Sequence, residues 1–300
     1  MRECGRQLGC HASTVSRELS RNAADVAGGS HYLPDHAILC TRGRRQKCHP
    51  HIKMDDPVFR RSIIIEIQKG RSPEIIAGRL KRENGHSIIS HETLYDFIYD
   101  SDIGKRDTLY EYLPRGKKRR SRRKGRKAQR TRLEGRVFIE ARSEEANDRS
   151  EAGHWETDSV LCKYRDAVNV LAERMSRKVI ITKLGAKDAD ATTTAITSRL
   201  KHERVKSITA DNGPENAEHE KIASALDADF FFCHSYHSWE KGTVENRNGV
   251  IRRYLPRTTD LSQWSQSELD EIAEDINNTP MKCLGFQTPN EFYSQCCIQN

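Results

Sequence analysis

Three hundred residues with 35% apolar content, a mean hydropathy of −0.81 and a net charge of +8 suit about two small domains joined by polar linkers. Apolar runs such as residues 62–65 are far shorter than the roughly 20 residues a membrane helix needs. The start, Met1 to Arg6, lacks the apolar stretch of a signal peptide, so a cytoplasmic protein with access to a bacterial nucleoid is expected.

Residues 1–53 read as an N-terminal helix-turn-helix segment. Arg2 to Leu8 forms a short helix ended by Gly9. A second helix restarts at His11, with Ser13 as its N-cap and Val15 and Leu19 four apart on a buried face. Ser13, Thr14, Ser16, Arg17 and Arg21 fall on or near the other face. Small hydroxyls and arginines at the start of a second helix suit a reader of the DNA major groove. Any short amphipathic helix looks similar. A third helix usually precedes such a unit and Met1 leaves no room for it, so a truncated amino terminus, or a start within the motif, is expected. In the same segment Cys40, Cys48, His49 and His51 match no standard zinc spacing, and zinc is not expected there. The nine cysteines form no paired CxxC framework and read as ordinary thiols.

Residues 54–113 read as a second helix-turn-helix domain. Asp55 to Gly70 supplies one helix, with Val58, Ile64, Ile65 and Ile67. Ser72 caps a second that opens on Pro73 and carries Ile75, Ile76 and Leu80. Asn84-Gly85 breaks it, and Ser90-His91-Glu92-Thr93 opens a third with Leu94, Phe97 and Ile98. His91, at its first turn, is a candidate DNA contact; a plain three-helix bundle is the alternative. Residues 114–149 form a basic linker. Between Arg115 and Arg130 lie eleven Lys or Arg in sixteen residues and no acid, which leaves the rest of the chain near −3. Such a block repels itself and buries nothing, and it attracts phosphate in a salt-dependent way. Arg119, Arg120, Arg122 and Arg123 are its candidate phosphate contacts, a solubilising linker being the other reading.

From residue 150 the pattern becomes mixed. Strand-like runs at 154–162, 167–172, 178–184, 205–210 and 229–233 alternate with helices near 188–201, 217–226 and 239–254. The order βββαβαβα predicts an α/β domain over 150–260, a mixed five-stranded sheet with flanking helices, followed by a helical tail at 261–300. Asp158 falls in the first strand, Asp211 directly ends the fourth, and Glu245 lies on the helix after the fifth. Acids at strand ends and on an adjoining helix can converge, and converging carboxylates are the hard oxygen ligands of Mg²⁺ ions that support in-line phosphoryl displacement. Each has a plainer reading: Asp211-Asn212-Gly213-Pro214 is a strong turn sequence, Glu245 a solvated helix residue, Asp158 an edge-strand polar position.

The blocks GHWETD at 153–158, ITADNG at 208–213 and SWEKGTVENRNG at 238–249 resemble the three active-site blocks of bacterial insertion-sequence transposases. The resemblance is to insertion-sequence family thirty, in the retroviral-integrase superfamily. Between Asp211 and Glu245 lie 33 residues, the family's spacing, and 52 lie between Asp158 and Asp211. The segments STVSRELSRN at 13–22, SPEIIAGRL at 72–80 and LGFQTPNE at 284–291 extend the likeness along nearly the whole chain. It implies a ribonuclease-H-like catalytic domain preceded by an all-α helix-turn-helix region. It also implies catalytic and metal-binding roles for Asp158, Asp211 and Glu245, and Mg²⁺ as cofactor with Mn²⁺ able to substitute. Arg252, two turns beyond Glu245, would hold target or end phosphates, and Asn212, Trp239, Lys241 and Asn248 would meet the substrate end. Glu156 and Glu240 read as supporting or surface residues. Asn216 departs from the family, standing where an aromatic is common. The implied activity is DNA cleavage and strand transfer at terminal inverted repeats, with double-stranded DNA as partner and a homo-oligomer at synapsis. A repressor without activity and a nuclease that cuts without joining are the rival readings.

Overall fold

The structure is a computed structural model that describes residues 1–26, 29–47, 52–114, 135–185, 187–234 and 238–298. The basic tract with Arg119, Arg120, Arg122 and Arg123 lies outside these residues, as do Cys48, His49 and His51. Contacts divide the chain into two compact units, residues 1–70 with 89–113 and residues 71–88 with 114–300.

The N-terminal elements are α1 (Arg2–Gln7), α2 (Ala12–Asn22), β1 (Ala23–Val26), β2 (Gly29–Tyr32), α3 (Pro34–Lys47), α4 (Ile52–Asp55), α5 (Pro57–Gln68), α6 (Pro73–Asn84), α7 (His91–Asp100) and α8 (Asp102–Arg106). All but α6 belong to the first unit. Gly9 takes a left-handed φ of 63° after α1, as a helix stop requires. The cap of α2 is His11, whose Nδ1 accepts the Ser13 N–H at 3.3 Å, and Ser13 lies inside the helix. The region is not all-α, because β1 and β2 pair as an antiparallel hairpin. Residues 23–32 lack the alternation that would have marked them. Further along, Ser90 caps α7 by accepting the Thr93 N–H at 3.1 Å. Ile63, Ile67, Leu94, Phe97, Ile98 and Leu109 form the apolar interior of this unit.

Helix α6 makes its contacts in the second unit. A Cβ on Gly78 would stand 2.1 Å from the Phe286 ring, so only glycine lets the ring lie against the helix. The next residue, Arg79, donates to both Glu291 carboxylate oxygens at 2.7 Å. The two segments SPEIIAGRL and LGFQTPNE are therefore packing partners. The Arg79 hydrogen bonds pull the Glu291 carboxyl down to about 2. Its folded value lies below the ordinary carboxylate range, so the pair stabilises the fold above about pH 4.5 and loses that contribution as pH falls towards 2. With the Glu291 side chain 41% exposed, solvent screening leaves the pair worth about 1 kcal/mol. Arg79→Ala is expected to lower stability by that amount at neutral pH, with the gap to wild type closing between about pH 4.5 and 2. Denaturant curves across that range test it; parallel curves at every pH would count against the pair.

The rest of the second unit is built on β3 (Val137–Phe138), α9 (Glu144–Asp148), β4 (His154–Leu161), β5 (Ala167–Glu173), β6 (Val179–Leu184), α10 (Ala189–Leu200), β7 (Ser207–Ala210), α11 (His219–Leu226), β8 (Asp229–Phe232), α12 (Gly242–Tyr254), α13 (Gln266–Asn277) and α14 (Pro289–Ile298). The sheet order is β3-β8-β7-β4-β5-β6. Strands β4, β5 and β6 run as an antiparallel meander, while β7, β8 and β3 are parallel to β4. This is the mixed α/β architecture expected, and it fits a ribonuclease-H-like domain. The sheet has six strands, not five, because the two-residue β3 adds to the edge of β8. No periodic signal survives in so short a strand.

Alternation along β4 sorts the core into two layers. Val160, with Val168, Val170 and Ile181, packs under α12 and α13 through Val244, Ile251, Leu269 and Ile276. Trp155, on the other face, packs with Leu171 of β5 and with Ile196, Leu200, Ile222 and Tyr293 of α10, α11 and α14. Leu261, Leu269, Ile272, Ile276 and Tyr293, from the segment expected to be a helical tail, are thus part of the core. Helix α13 also closes the open edge of β6 with side-chain amides. Asn277 bonds both the N–H and the C=O of Val179 at 2.8 Å, and Gln266 bonds the Lys183 N–H at 2.9 Å and the Ile181 C=O at 2.8 Å. Such covering removes an edge that could pair with another chain. No helix among the described residues is long and apolar enough to cross a membrane.

Candidate active site

Register alone sets two of the acids level. In the parallel pairing of β4 with β7, His154, Trp155 and Glu156 stand opposite Ser207, Ile208 and Thr209. The same offset, continued two residues past the last paired position, puts Asp158 opposite Asp211, the first residue after β7. There the chain leaves the sheet through the turn Asp211-Asn212-Gly213-Pro214. The turn reading of that sequence and the site reading hold together, since the turn is what frees the Asp211 carboxylate from the sheet.

The two carboxylates meet around one ammonium. Lys241 Nζ lies 3.5 Å from Asp158 Oδ1 and 3.6 Å from Asp211 Oδ2, and it donates to the Thr157 carbonyl at 3.2 Å. Lys241 is only 5% exposed. Burial works to lower its ammonium, but Asp158 and then Asp211 outweigh burial and hold it above the ordinary lysine range. Each acid is further oriented by an amide. Asn248 Nδ2 donates to Asp158 Oδ2 at 2.7 Å, and Asn216 Nδ2 donates to both the carbonyl and Oδ1 of Asp211 at 3.1 Å. Asn216 is buried. A side-chain amide thus occupies the place where an aromatic was expected, and it fixes Asp211 by hydrogen bonds instead of packing.

Lys241 immediately precedes α12, and Glu245, Asn248 and Arg252 follow on the helix at spacings of four, three and four, which sets all four along one face. Glu245 is exposed on that face. Among the described residues no three or more of His, Cys, Asp and Glu are grouped so as to hold a metal ion. Arg252 donates to the Leu255 carbonyl at 3.4 Å and lies beside the Cys162 thiol. Asn212 joins the ends of two strands: it donates to the Cys233 carbonyl at 2.6 Å and accepts from Arg136. The Trp239 side chain lies outside what the structure describes.

The placement of α12 depends on a residue the sequence reading left in a supporting role. Glu156 is two residues before Asp158 on the same face of β4, and it is fully buried. Its Oε2 accepts the Val244 N–H at 2.8 Å, in the first turn of α12, and its Oε1 pairs with Arg174. Arg174 also donates to the Ala146 carbonyl at 2.9 Å. A carboxylate at a helix N-terminus satisfies an orphan N–H and the helix dipole together. Arg177 adds a second tie, donating to Thr243 Oγ1 at 2.8 Å. Glu240 adds a third, accepting the His234 N–H at 2.8 Å. An acid at alternate spacing from Asp158 on an otherwise buried strand was the available signal for Glu156. For Asn216 and Arg174 the sequence held none.

In the first unit Ser13, Thr14, Arg17, Arg21 and His91 are exposed and Ser16 is half-buried. Arg17 Nε bonds the Ser13 carbonyl at 3.2 Å, and His91 pairs with Glu92 at 3.2 Å.

The fold and site together define an α/β protein with facing carboxylates on neighbouring parallel strands, Asp158 within β4 and Asp211 just past the end of β7. No family model matches the chain. It is 36% identical over 296 residues to the transposase of insertion sequence element IS4351 of Bacteroides fragilis, covering 98% of this chain and 89% of that protein. It is 34% identical to the transposase of IS1086 of Cupriavidus metallidurans, over 98% and 89% of the two chains. With the InsI transposase of IS30A of Escherichia coli it shares 33% identity, over 93% of this chain and 74% of that one. Of solved structures, the catalytic core domain of BIV integrase aligns with 49% of this chain and 96% of its own, at 18% identity and a TM-score of 0.38. The chain belongs to the IS30 family of insertion-sequence transposases.

Proposed function

We propose that the protein binds the terminal inverted repeats of an insertion sequence and catalyses Mg²⁺-dependent DNA strand cleavage and strand transfer through Asp158, Asp211 and Glu245. The observation that carries this reading is the convergence of Asp158 and Asp211 on a single cation, in a chain whose relatives are transposases. The chemistry of the donors suits a hard divalent ion: two carboxylates already share one positive charge, and Glu245, on the helix that follows Lys241, would complete the set. Asp158, Asp211 and Glu245 would hold Mg²⁺, with Mn²⁺ able to substitute. When bound, the metal supplies activation of the attacking oxygen and stabilisation of the leaving one.

The chain's own residues hold this constellation in place. Asn248 orients Asp158, Asn216 orients Asp211, and Glu156 fixes the first turn of the helix that carries Glu245. Arg252, two turns beyond Glu245 on α12, and Asn212, next to Asp211, are our candidates for contacts with DNA phosphates. Ser13, Thr14, Ser16, Arg17 and Arg21 on α2, with His91 on α7, would read the repeats. Arg119, Arg120, Arg122 and Arg123 would track the backbone. Synapsis of two ends calls for at least two protomers.

The test is a strand-transfer assay with labelled inverted-repeat ends, a target duplex and Mg²⁺. Joined product, lost on adding EDTA, is the expected result. Binding without cleavage would leave a repressor, and cleavage without joining would leave a nuclease.

A further inference from the structure

The geometry points to Lys241 as a built-in counter-cation, which holds Asp158 and Asp211 together in the metal-free protein and must be displaced by a divalent ion entering between them. This inference rests on the metal reading above and adds what keeps the site assembled before metal arrives.

Two carboxylates brought to the same level of adjacent strands repel unless a cation lies between them. An ammonium has three donors. Here it faces three oxygens, at 3.5 Å on Asp158, 3.6 Å on Asp211 and 3.2 Å on the Thr157 carbonyl. Among the described residues no other Lys, Arg or His forms an ion pair with either acid. The lysine is also not a surface side chain that has folded inwards by chance. The short 3-10 turn that carries it, Ser238–Lys241, is held on one side by Glu240 at the His234 N–H, 2.8 Å, and on the other by Glu156 at the Val244 N–H, 2.8 Å. With 5% exposure its charge is spent inside the site, which sets it apart from an outward phosphate contact. A divalent ion bound by the same two carboxylates meets like charge there, so the lysine sets a threshold for metal loading.

Lys241→Gln in the full chain tests this, with Mn²⁺ alone as the probe, read by electron paramagnetic resonance titration and by thermal unfolding with and without the ion. Mn²⁺ is expected to bind Lys241→Gln about tenfold tighter or more than wild type. The metal-free variant is expected to melt below wild type, and saturating Mn²⁺ is expected to close that gap. Lys241→Arg keeps the charge and is expected to retain wild-type Mn²⁺ affinity. Equal or weaker Mn²⁺ binding by Lys241→Gln overturns the inference, as does equal tightening in Lys241→Arg. If Lys241→Gln does not fold without metal, refolding in Mn²⁺ must restore it; no restoration also overturns the inference. Asp211→Asn separates the two readings. Loss of Mn²⁺ binding in that variant supports the metal site whatever Lys241 does, whereas wild type and Lys241→Gln both failing to bind Mn²⁺ removes the metal reading and this one together.

Discussion

Asp158→Asn and Asp211→Asn are each expected to reduce strand cleavage by on the order of 10³-fold or more while leaving the protein folded. The amide is isosteric with the carboxylate, so the Asn216 and Asn248 contacts lose charge but keep their geometry. The lost anion is worth several kcal/mol of transition-state stabilisation if it holds a catalytic metal, and each 1.4 kcal/mol is a tenfold change in rate. Stability should change little, since both acids are partly exposed and each variant relieves part of their mutual repulsion. Glu245→Gln is expected to follow the same pattern, with the helix unaffected because the side chain lies on an exposed face. Single-turnover cleavage of a labelled end, beside a thermal melt, makes both measurements. Wild-type cleavage in any of the three variants would falsify the assignment of that residue.

Glu156→Ala is expected to act the other way round, through stability first. The carboxylate is fully buried and satisfies both the Arg174 guanidinium and the Val244 N–H. Removing it leaves a buried cation without its partner and an orphan N–H at the start of α12. Breaking a buried pair from one side costs about 3–5 kcal/mol, against a total of about 5–15 for a domain. A fall in Tm of roughly ten degrees is expected. Glu156→Gln, which keeps one acceptor oxygen, should fall between the two. Because α12 carries Asn248 and Glu245 and follows directly on Lys241, residual activity should fall even at temperatures where the variant is folded. A Glu156→Ala protein as stable as wild type would show that the Arg174 pair does not hold the helix.

The strands and helices of the second unit were legible because each alternates or repeats apolar residues over enough positions. The five expected strands form within a residue or two of their expected ends. The hairpin at residues 23–32 and the strand Val137–Phe138 were not legible, the first for want of alternation and the second for want of length. The helix expected over 55–70 from its apolar residues, and those opened by Ser72-Pro73 and by Ser90, form at 57–68, 73–84 and 91–100. Which of them pack together was not legible. Helix α6 looks in sequence like the middle of a three-helix unit, yet Gly78 and Arg79 find their partners at Phe286 and Glu291, about two hundred residues on.

By itself, then, the sequence determined the local elements and singled out Asp158, Asp211 and Glu245 as candidates, because periodicity, caps and turn residues act over a few positions. Its ordered blocks and their spacing also determined the family. Only the tertiary structure decided what surrounds those acids. The register of β4 on β7 sets Asp158 level with Asp211, and the buried Glu156 fixes the start of α12. That fixed start leaves Lys241 between the carboxylates instead of in solvent. Such arrangements are decided by long-range pairing and by the cost of burying unpaired charge, and neither quantity is written in the spacing of residues along the chain.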